Sequence, residues 1–158
     1  RPAAVDALVQ IVQQMVSDYG SDGPMIDAFA GVGIFAGTVG VDRPVTAVER
    51  SADSLADARI NLADSGARIV GSSVESWRAT PAATVLADPA RAGLGHASVK
   101  ALLGSQPDLL ILISCDHSSF ARDAALLAVA GLTLTRLIIV DLFPDTSHVE
   151  TVGAFLRT

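Results

Sequence analysis

A single cysteine, Cys115, leaves this chain of 158 residues without an internal disulfide, so its fold does not depend on an oxidising compartment. Charge is sparse as well: 18% of residues are charged and 50% are hydrophobic, which excludes a disordered tail or a solvated linker. Basic residues are the minority, 11 against 17 acidic, for a net charge of −6. That balance disfavours tight nonspecific binding to nucleic acid, which needs lysine and arginine to displace counterions. No apolar run approaches the ~18 residues of a membrane span; the longest, 109–113 and 137–140, have strand length. Repeats, low-complexity tracts and a signal-peptide pattern are missing too. The chain starts at Arg1 rather than Met and reads as a fragment of a longer cytoplasmic protein. Its length fits one domain of ~100–200 residues, large enough to bury a core without a metal or disulfide staple.

What is present is an alternation of helical and extended patterns. Residues 3–18 carry Val5, Leu8, Val9, Val12, Met15 and Val16 at helical spacing, and Gly20, Gly23 and Pro24 close that helix. Strands are expected at 25–30, 44–48, 67–71, 83–87 and 109–114. Helices are expected near 34–39, from Ser51 or Asp53 to Ala63, at 97–103, and from Ser118 or Ser119 to about Val129. Two further strand-like runs, 133–142 and 148–156, have no helix between them and should be antiparallel neighbours. Five βα alternations predict a mostly parallel sheet covered by helices on both faces. The terminal hairpin predicts one reversed edge strand.

Ligands of such sheets sit at the carboxyl ends of the strands. The first such end is Asp27-Ala28-Phe29-Ala30-Gly31-Val32-Gly33, where Gly31 and Gly33 let a ligand approach the main chain. Glu49 ends the second strand, 18 residues after Gly31, near the ~20 expected of a nucleoside-binding unit in which an acidic residue holds the ribose diol. Two cofactors fit this layout. A dinucleotide needs Gly-x-Gly-x-x-Gly, and here the third glycine, Gly37, comes one position late. S-adenosylmethionine has no phosphate and tolerates a looser turn headed by an acidic residue such as Asp27. A tight turn beside a surface glutamate is the bland alternative.

Cys115 follows the most apolar strand. Taken alone, such a cysteine is a buried, inert hydrophobe, but its place before a helix start favours thiolate, the reactive form. Glu150 interrupts an apolar strand; partial burial would raise its pKa and suit it to proton transfer, whereas an edge-strand glutamate would face water. His148 could carry a proton or be structural. In Asp88-Pro89-Ala90-Arg91-Ala92-Gly93, Asp88 and Arg91 can both face the cleft, unless the segment is a plain surface loop. His96 and His117 show no metal spacing with Cys115.

Together these stretches resemble the RNA 5-methyluridine methyltransferase family, a branch of the class I S-adenosylmethionine-dependent methyltransferases. Residues Asp27 to Phe35 are similar to its cofactor turn, and Val45-Thr46-Ala47-Val48-Glu49 to its ribose-binding strand end. Asp88-Pro89-Ala90-Arg91-Ala92-Gly93 resembles its Asp-Pro-Pro-Arg-x-Gly motif. Ser114-Cys115-Asp116 with Ala121-Arg122-Asp123 resembles its nucleophile motif and the helix after it. Phe143-Pro144-Asp145-Thr146-Ser147-His148-Val149-Glu150 resembles its base motif. The resemblance implies a Rossmann-like domain spanning 1–158, with a mostly parallel seven-stranded sheet, one antiparallel strand and helices on both faces. It implies Cys115 as nucleophile and Glu150 as base, with Asp27, Phe29, Gly31, Gly33, Glu49, Ser73 and Asp88 at S-adenosylmethionine and Arg91 near the nucleotide.

The implied activity is methyl transfer to C5 of a uridine in tRNA or rRNA, through a covalent bond between the cysteine and C6. Neither a metal nor a membrane is expected to take part in this fragment. The family's Phe-x-Gln segment and its N-terminal RNA-binding region, which would supply the basic surface, are not in this sequence. Ile34 stands where members often carry Asn, Ala90 replaces a proline, and Asp116-His117 replaces Asn-Pro, so the loop after the cysteine is expected to differ. A non-catalytic remnant of the fold that binds cofactor or RNA, and a nicotinamide-dependent oxidoreductase, are the alternatives.

Overall fold

A computed structural model describes residues 2–141 and 149–158. Helix α1 (Pro2–Tyr19) leads into β1 (Met25–Ala28), α2 (Ile34–Thr38), β2 (Val45–Glu49), α3 (Ala52–Asn61), β3 (Arg68–Gly71) and β4 (Thr84–Ala87). Then follow α4 (Gly95–Leu103), β5 (Leu109–Ser114), α5 (His117–Val129), β6 (Leu132–Val140) and β7 (Glu150–Arg157). Among the described residues no helix is long and apolar enough to cross a membrane.

The seven strands form one sheet in the order β3-β2-β1-β4-β5-β7-β6. β1 to β5 pair in parallel, while β7 runs antiparallel to both β5 and β6. The expected hairpin partners are therefore neighbours, but the reversed strand is not at the edge. It sits between β5 and β6, and β6 takes the edge. Composition explains the exchange. Thr151 to Phe155 are buried without interruption, whereas β6 carries Thr133, Thr135 and Arg136 and is mostly exposed. A strand covered on both faces must be nearly continuous in apolar and small residues, and only β7 meets that condition.

Two apolar clusters cover the two faces. On one, Val12, Met15 and Val16 of α1 and Phe35 of α2 pack with Met25, Leu86, Ile111 and Val152. On the other, Val99 and Leu102 of α4 and Phe120 and Leu127 of α5 pack with Ile26, Val85, Leu110 and Phe155. Of the expected helix starts, the one at Ser51 holds and the one at Ser118 or Ser119 shifts. Ser51 caps α3, its side chain accepting from the Ser54 amide, while α5 is capped by Asp116 rather than by Ser118 or Ser119. The base-motif residues 143–148, His148 among them, lie outside the described residues.

Gly153 of β7 faces the ring of Phe120, and a Cβ there would come within 2.6 Å of Phe120 Cζ and 3.0 Å of Phe155 Cε2. Overpacking of this kind costs about 1–3 kcal/mol. Gly153→Ala is predicted to lose that much stability in urea unfolding, and Gly153→Ala combined with Phe120→Leu to recover part of it. An unchanged midpoint for the single variant would contradict the packing described.

Candidate active site

Five acidic or nucleophilic side chains gather at one rim of the sheet, and strand geometry explains why. β1, β2, β4 and β5 all end at this rim, so Asp27, Glu49, Asp88 and Cys115 lie at or just beyond their carboxyl ends. β7 runs the other way and begins there, with Glu150. Ser114 pairs with Thr151 as the last pair of the β5–β7 register; Cys115 follows Ser114 in the chain and Glu150 precedes Thr151, so that register continued by one residue sets Cys115 against Glu150. Directly opposed residues of an antiparallel pair project to the same face with Cβ atoms ~4.5–5.5 Å apart. Side chains alternate along strands. Met25, Ala47, Leu86, Ile111 and Val152 pack on the α1–α2 side, and the same alternation puts Asp27, Glu49 and Glu150, which lie within their strands, on that side.

The glycine turn and Glu49, noted separately in the sequence, are bonded to one another. The Gly31 amide donates to Glu49 Oε2 at 2.8 Å, and the Arg50 and Ser51 amides donate to Oε1 at 2.8 and 2.7 Å. Gly31 and Gly33 have φ of 54° and 87°, and Phe29, at 61°, adopts the left-handed region without being glycine. That conformation is costly for a residue bearing a Cβ and clusters at ligand sites. No atom lies within 4 Å of where a Gly31 Cβ would stand, whereas Gly33 is pressed against Leu62. The first glycine thus leaves open space above the main chain, and the second permits close packing below it. Gly37 lies inside α2 and bonds back to the Gly33 carbonyl at 2.9 Å, so it is not part of a phosphate-type glycine turn.

Beside this turn a cleft of about 430 Å³ is lined by Phe29, Glu49, Ser73, Glu75, Asp88 and Gly93, among others. Of the residues singled out in the sequence, Phe29, Glu49, Ser73 and Asp88 line it, and Gly31 is bonded to the lining residue Glu49. Asp27 is buried beneath, its Oδ2 accepting from the Ala36 amide at 2.8 Å. Arg91 is not in the cleft wall. Its guanidinium is mostly exposed and lies 3.7 Å from Asp116. Asp116 in turn accepts from the Ser119 amide at 2.7 Å, which holds its pKa below the usual carboxylate range. Capping needs only an oxygen that Asp and Asn both carry, so the replacement of Asn after the cysteine preserves that contact.

Sequence reading missed Arg50, Ser51 and Glu75 in the cleft wall. Glu75 accepts from Ser98 Oγ at 2.6 Å, and that bond lowers its pKa. Its position in a loop between β3 and β4 offered no pattern to find it by.

The rim is electrostatically crowded. Burial, first, and the neighbouring charges of Asp88 and Glu49 push the Asp27 pKa up to about 7, although the Ala36 bond opposes the shift. Asp88 is also pushed up to about 7, by desolvation and then by Glu150. Solvent reaches the Asp88 side chain from the cleft and screens part of that penalty, whereas Asp27 is 1% exposed and feels it in full. Asp27 Oδ1 is buried without a hydrogen-bond partner among the described residues.

These features suit a cationic ligand carrying a nucleoside: a carboxylate for a diol, open main chain at Gly31, and surplus negative charge for a sulfonium and an ammonium. They do not suit a diphosphate.

Because the folded pKa of Asp27 is raised, its contribution to stability is fully present below the unfolded value of about 3.8 and is lost as pH rises to about 7. The loss is up to ~4 kcal/mol at ~1.4 kcal/mol per pH unit. Asp27→Asn keeps the oxygen that accepts from Ala36 and cannot ionise. It is predicted to flatten the decline in stability between pH 4 and 8 and to exceed the wild type at pH 8 in urea unfolding. An unaltered pH slope would refute this account of Asp27.

Residues 21–158 match the family described as tRNA (uracil-5-)-methyltransferase. An uncharacterised RNA methyltransferase from Corynebacterium efficiens is 36% identical over 150 residues, covering 89% of this chain and 34% of that protein. The 23S rRNA (uracil(1939)-C(5))-methyltransferase of Aliivibrio fischeri is 30% identical over 163 residues, covering 94% of this chain and 36% of that protein. Among solved structures, the Pyrococcus abyssi tRNA (uracil-54, C5)-methyltransferase in complex with S-adenosyl-L-homocysteine superposes with a TM-score of 0.81 at 26% identity, over 94% of this chain and 38% of that one. The chain spans about a third of the length of the curated relatives it matches. With a class I methyltransferase sheet and a match over residues 21–158, the chain belongs to the tRNA (uracil-5-)-methyltransferase family.

Proposed function

We propose that residues 1–158 form a single catalytic domain that transfers a methyl group from S-adenosylmethionine to C5 of a uridine in structured RNA, either tRNA or rRNA. In this reading most of the RNA is gripped by a separate N-terminal region, because this domain carries a net charge of −6, and the protein works in the cytoplasm. The observation that supports the reading is the β5–β7 register, whose last pair, Ser114 with Thr151, is flanked by Cys115 and Glu150 at the rim that holds the cleft bounded by Glu49 and Asp88. One strand end supplies a nucleophile and the facing strand start supplies a base. The acidic rim counts against the nicotinamide alternative, whose diphosphate it would repel, and so does the place of Gly37 within α2.

Glu49 would hold the ribose diol, with the open main chain at Gly31 and the aromatic ring of Phe29 against the cofactor, Gly33 shaping the turn, and Ser73 at the adenosine end. Asp27 and Asp88 supply negative charge beneath and beside the cationic end. When bound, S-adenosylmethionine offers an electrophilic methyl group.

C5 of uracil is a poor nucleophile, and the chain's own residues must change that. Cys115 Sγ, as thiolate, forms a bond to C6, and the displaced electron pair makes C5 enolate-like, able to take the methyl group. Glu150 then removes the C5 proton. The electron pair of the C5–H bond restores the C5–C6 double bond, the C6–S bond breaks, and Sγ leaves as thiolate. Sulfur suits both ends of the cycle. Glu150 is only partly buried, which leaves a route for its proton to solvent. The target base must leave its stack to reach Cys115, and Arg91, exposed beside the nucleophile loop, is placed to meet its phosphate.

Two outcomes are expected in the full-length protein. Cys115→Ala abolishes covalent capture of RNA containing 5-fluorouridine, read as a shifted band on a denaturing gel. Glu150→Gln, incubated with unmodified substrate RNA and S-adenosylmethionine, accumulates a methylated protein–RNA adduct, because proton removal stalls. Residual methylation by Cys115→Ala would overturn the assignment of the nucleophile.

A further inference from the structure

Asp123 is a buried carboxylate that the proposed chemistry does not use. It lies on the inner face of α5, 1% exposed, between the core residues Phe120 and Leu127. Its partners lie outside its own helix save for the adjacent Arg122. Asp123 Oδ2 accepts from the Leu94 amide at 2.6 Å and Oδ1 from the Gly95 amide at 3.1 Å, at the N-terminus of α4, whose cap residue Leu94 offers no side-chain oxygen. Arg122 Nη2 donates to the Ala92 carbonyl at 2.6 Å and to Asp123 Oδ1 at 3.0 Å. One turn earlier, Ser119 Oγ donates to the Arg91 carbonyl at 2.8 Å.

Three residues of α5, Ser119, Arg122 and Asp123, thus hold the segment from Arg91 to Gly95. That segment begins three residues after Asp88 and contributes Ala92 and Gly93 to the cleft wall. The same helix begins two residues after Cys115. Gly93 confirms how close the approach is. A Cβ on it would run into Asp123 Oδ2, Arg122 Nη2 and Ser119 Cβ, and its φ is 78°.

We propose that Asp123, braced by Arg122, is a positioning residue that locks the Asp88–Gly95 loop to the helix behind Cys115, fixing the separation between the cofactor wall and the nucleophile. The loop has few alternatives for its order. Its backbone donors at Leu94 and Gly95 are satisfied from another element, through a carboxylate that is inaccessible to competing water. Without that acceptor both amides lose their partner, and a buried donor left unpaired is unfavourable. The loop then samples open arrangements, and apparent affinity for a ligand falls in proportion to the fraction of time the wall is in place. The link to cofactor affinity rests on the methyltransferase reading; the locking of the loop does not.

The test uses the full-length protein with Asp123→Ala, Asp123→Asn and, as a control one turn further along the same helix, Leu127→Ala. Two quantities are measured: S-adenosylhomocysteine affinity by calorimetry, and amide hydrogen exchange at Leu94 and Gly95. Asp123→Ala is expected to weaken S-adenosylhomocysteine about tenfold or more and to speed exchange at both amides about a hundredfold relative to the sheet strands. Asp123→Asn, which keeps one acceptor oxygen, falls between Ala and wild type in both measurements. Leu127→Ala lowers the melting temperature without a selective change at the loop or in affinity.

Unchanged exchange at Leu94 and Gly95 in Asp123→Ala overturns the proposal, as does equal loss of affinity in Leu127→Ala. Failure of the wild type to bind S-adenosylhomocysteine would sink the cofactor reading, while the exchange data would still decide whether Asp123 locks the loop.

Discussion

Negative charge gathered at one rim of a hydrophobic sheet is the constraint on which the rest of the site depends. Asp27, Asp88 and Glu49 repel one another, and Glu150 raises the pKa of Asp88 from the far side. Such an arrangement works against the fold near neutral pH, since a buried ionised carboxylate without a cation is unfavourable. The chain tolerates it because the remainder of the sheet is apolar and almost wholly buried, from Leu109 to Ile113 in β5 and Val152 to Phe155 in β7. Stability is sacrificed at a rim where a cationic ligand can restore it, which is the usual logic of a preorganised site.

The reversed strand gives that rim its second function. Parallel strands end at the same edge, so their carboxyl ends can offer any number of ligand-binding residues. They cannot bring the end of one strand and the start of its neighbour to the same rim. An antiparallel β7 inserted beside β5 does so: Thr151 pairs with Ser114, the last residue of β5, and Glu150 begins β7. A slip of one residue in that register would turn Glu150 to the opposite face of the sheet. The tight contact of Gly153 with Phe120 and Phe155 opposes such a slip, so packing in the middle of the strand fixes which face Glu150 occupies at its end.

Much of this was legible in the residues, for identifiable reasons. The apolar run before Cys115, the glycines after β1 and the acidic end of β2 are local patterns, and each strand or helix came within a few positions of its expected bounds. The interior place of β7 was not legible, because strand order is decided by which strand can be buried on both faces, a comparison between distant segments. Nor was the left-handed Phe29, since nothing in its side chain favours that conformation. The direction of Arg91 depends on Asp116, 25 residues away in sequence. Asp123 left a trace: an aspartate spaced at helical intervals between Phe120 and Leu127 is a charge inside an apolar stripe, and such a residue must have partners elsewhere.

The acidic rim also bears on how an RNA could be used. Phosphates approaching Glu49, Asp88 and Glu150 would meet like charge, so a duplex laid across the cleft is disfavoured there. Attraction is available at the periphery, where the exposed side chains of Arg91 and Arg122 stand on the loop and helix flanking Cys115. A neutral pyrimidine ring, by contrast, can enter an acidic site without that penalty. Under the proposed function the field therefore sorts the two parts of a nucleotide, keeping the backbone outside and admitting the base. Extrusion of the base from its stack is then required by electrostatics as well as by the reach of Cys115.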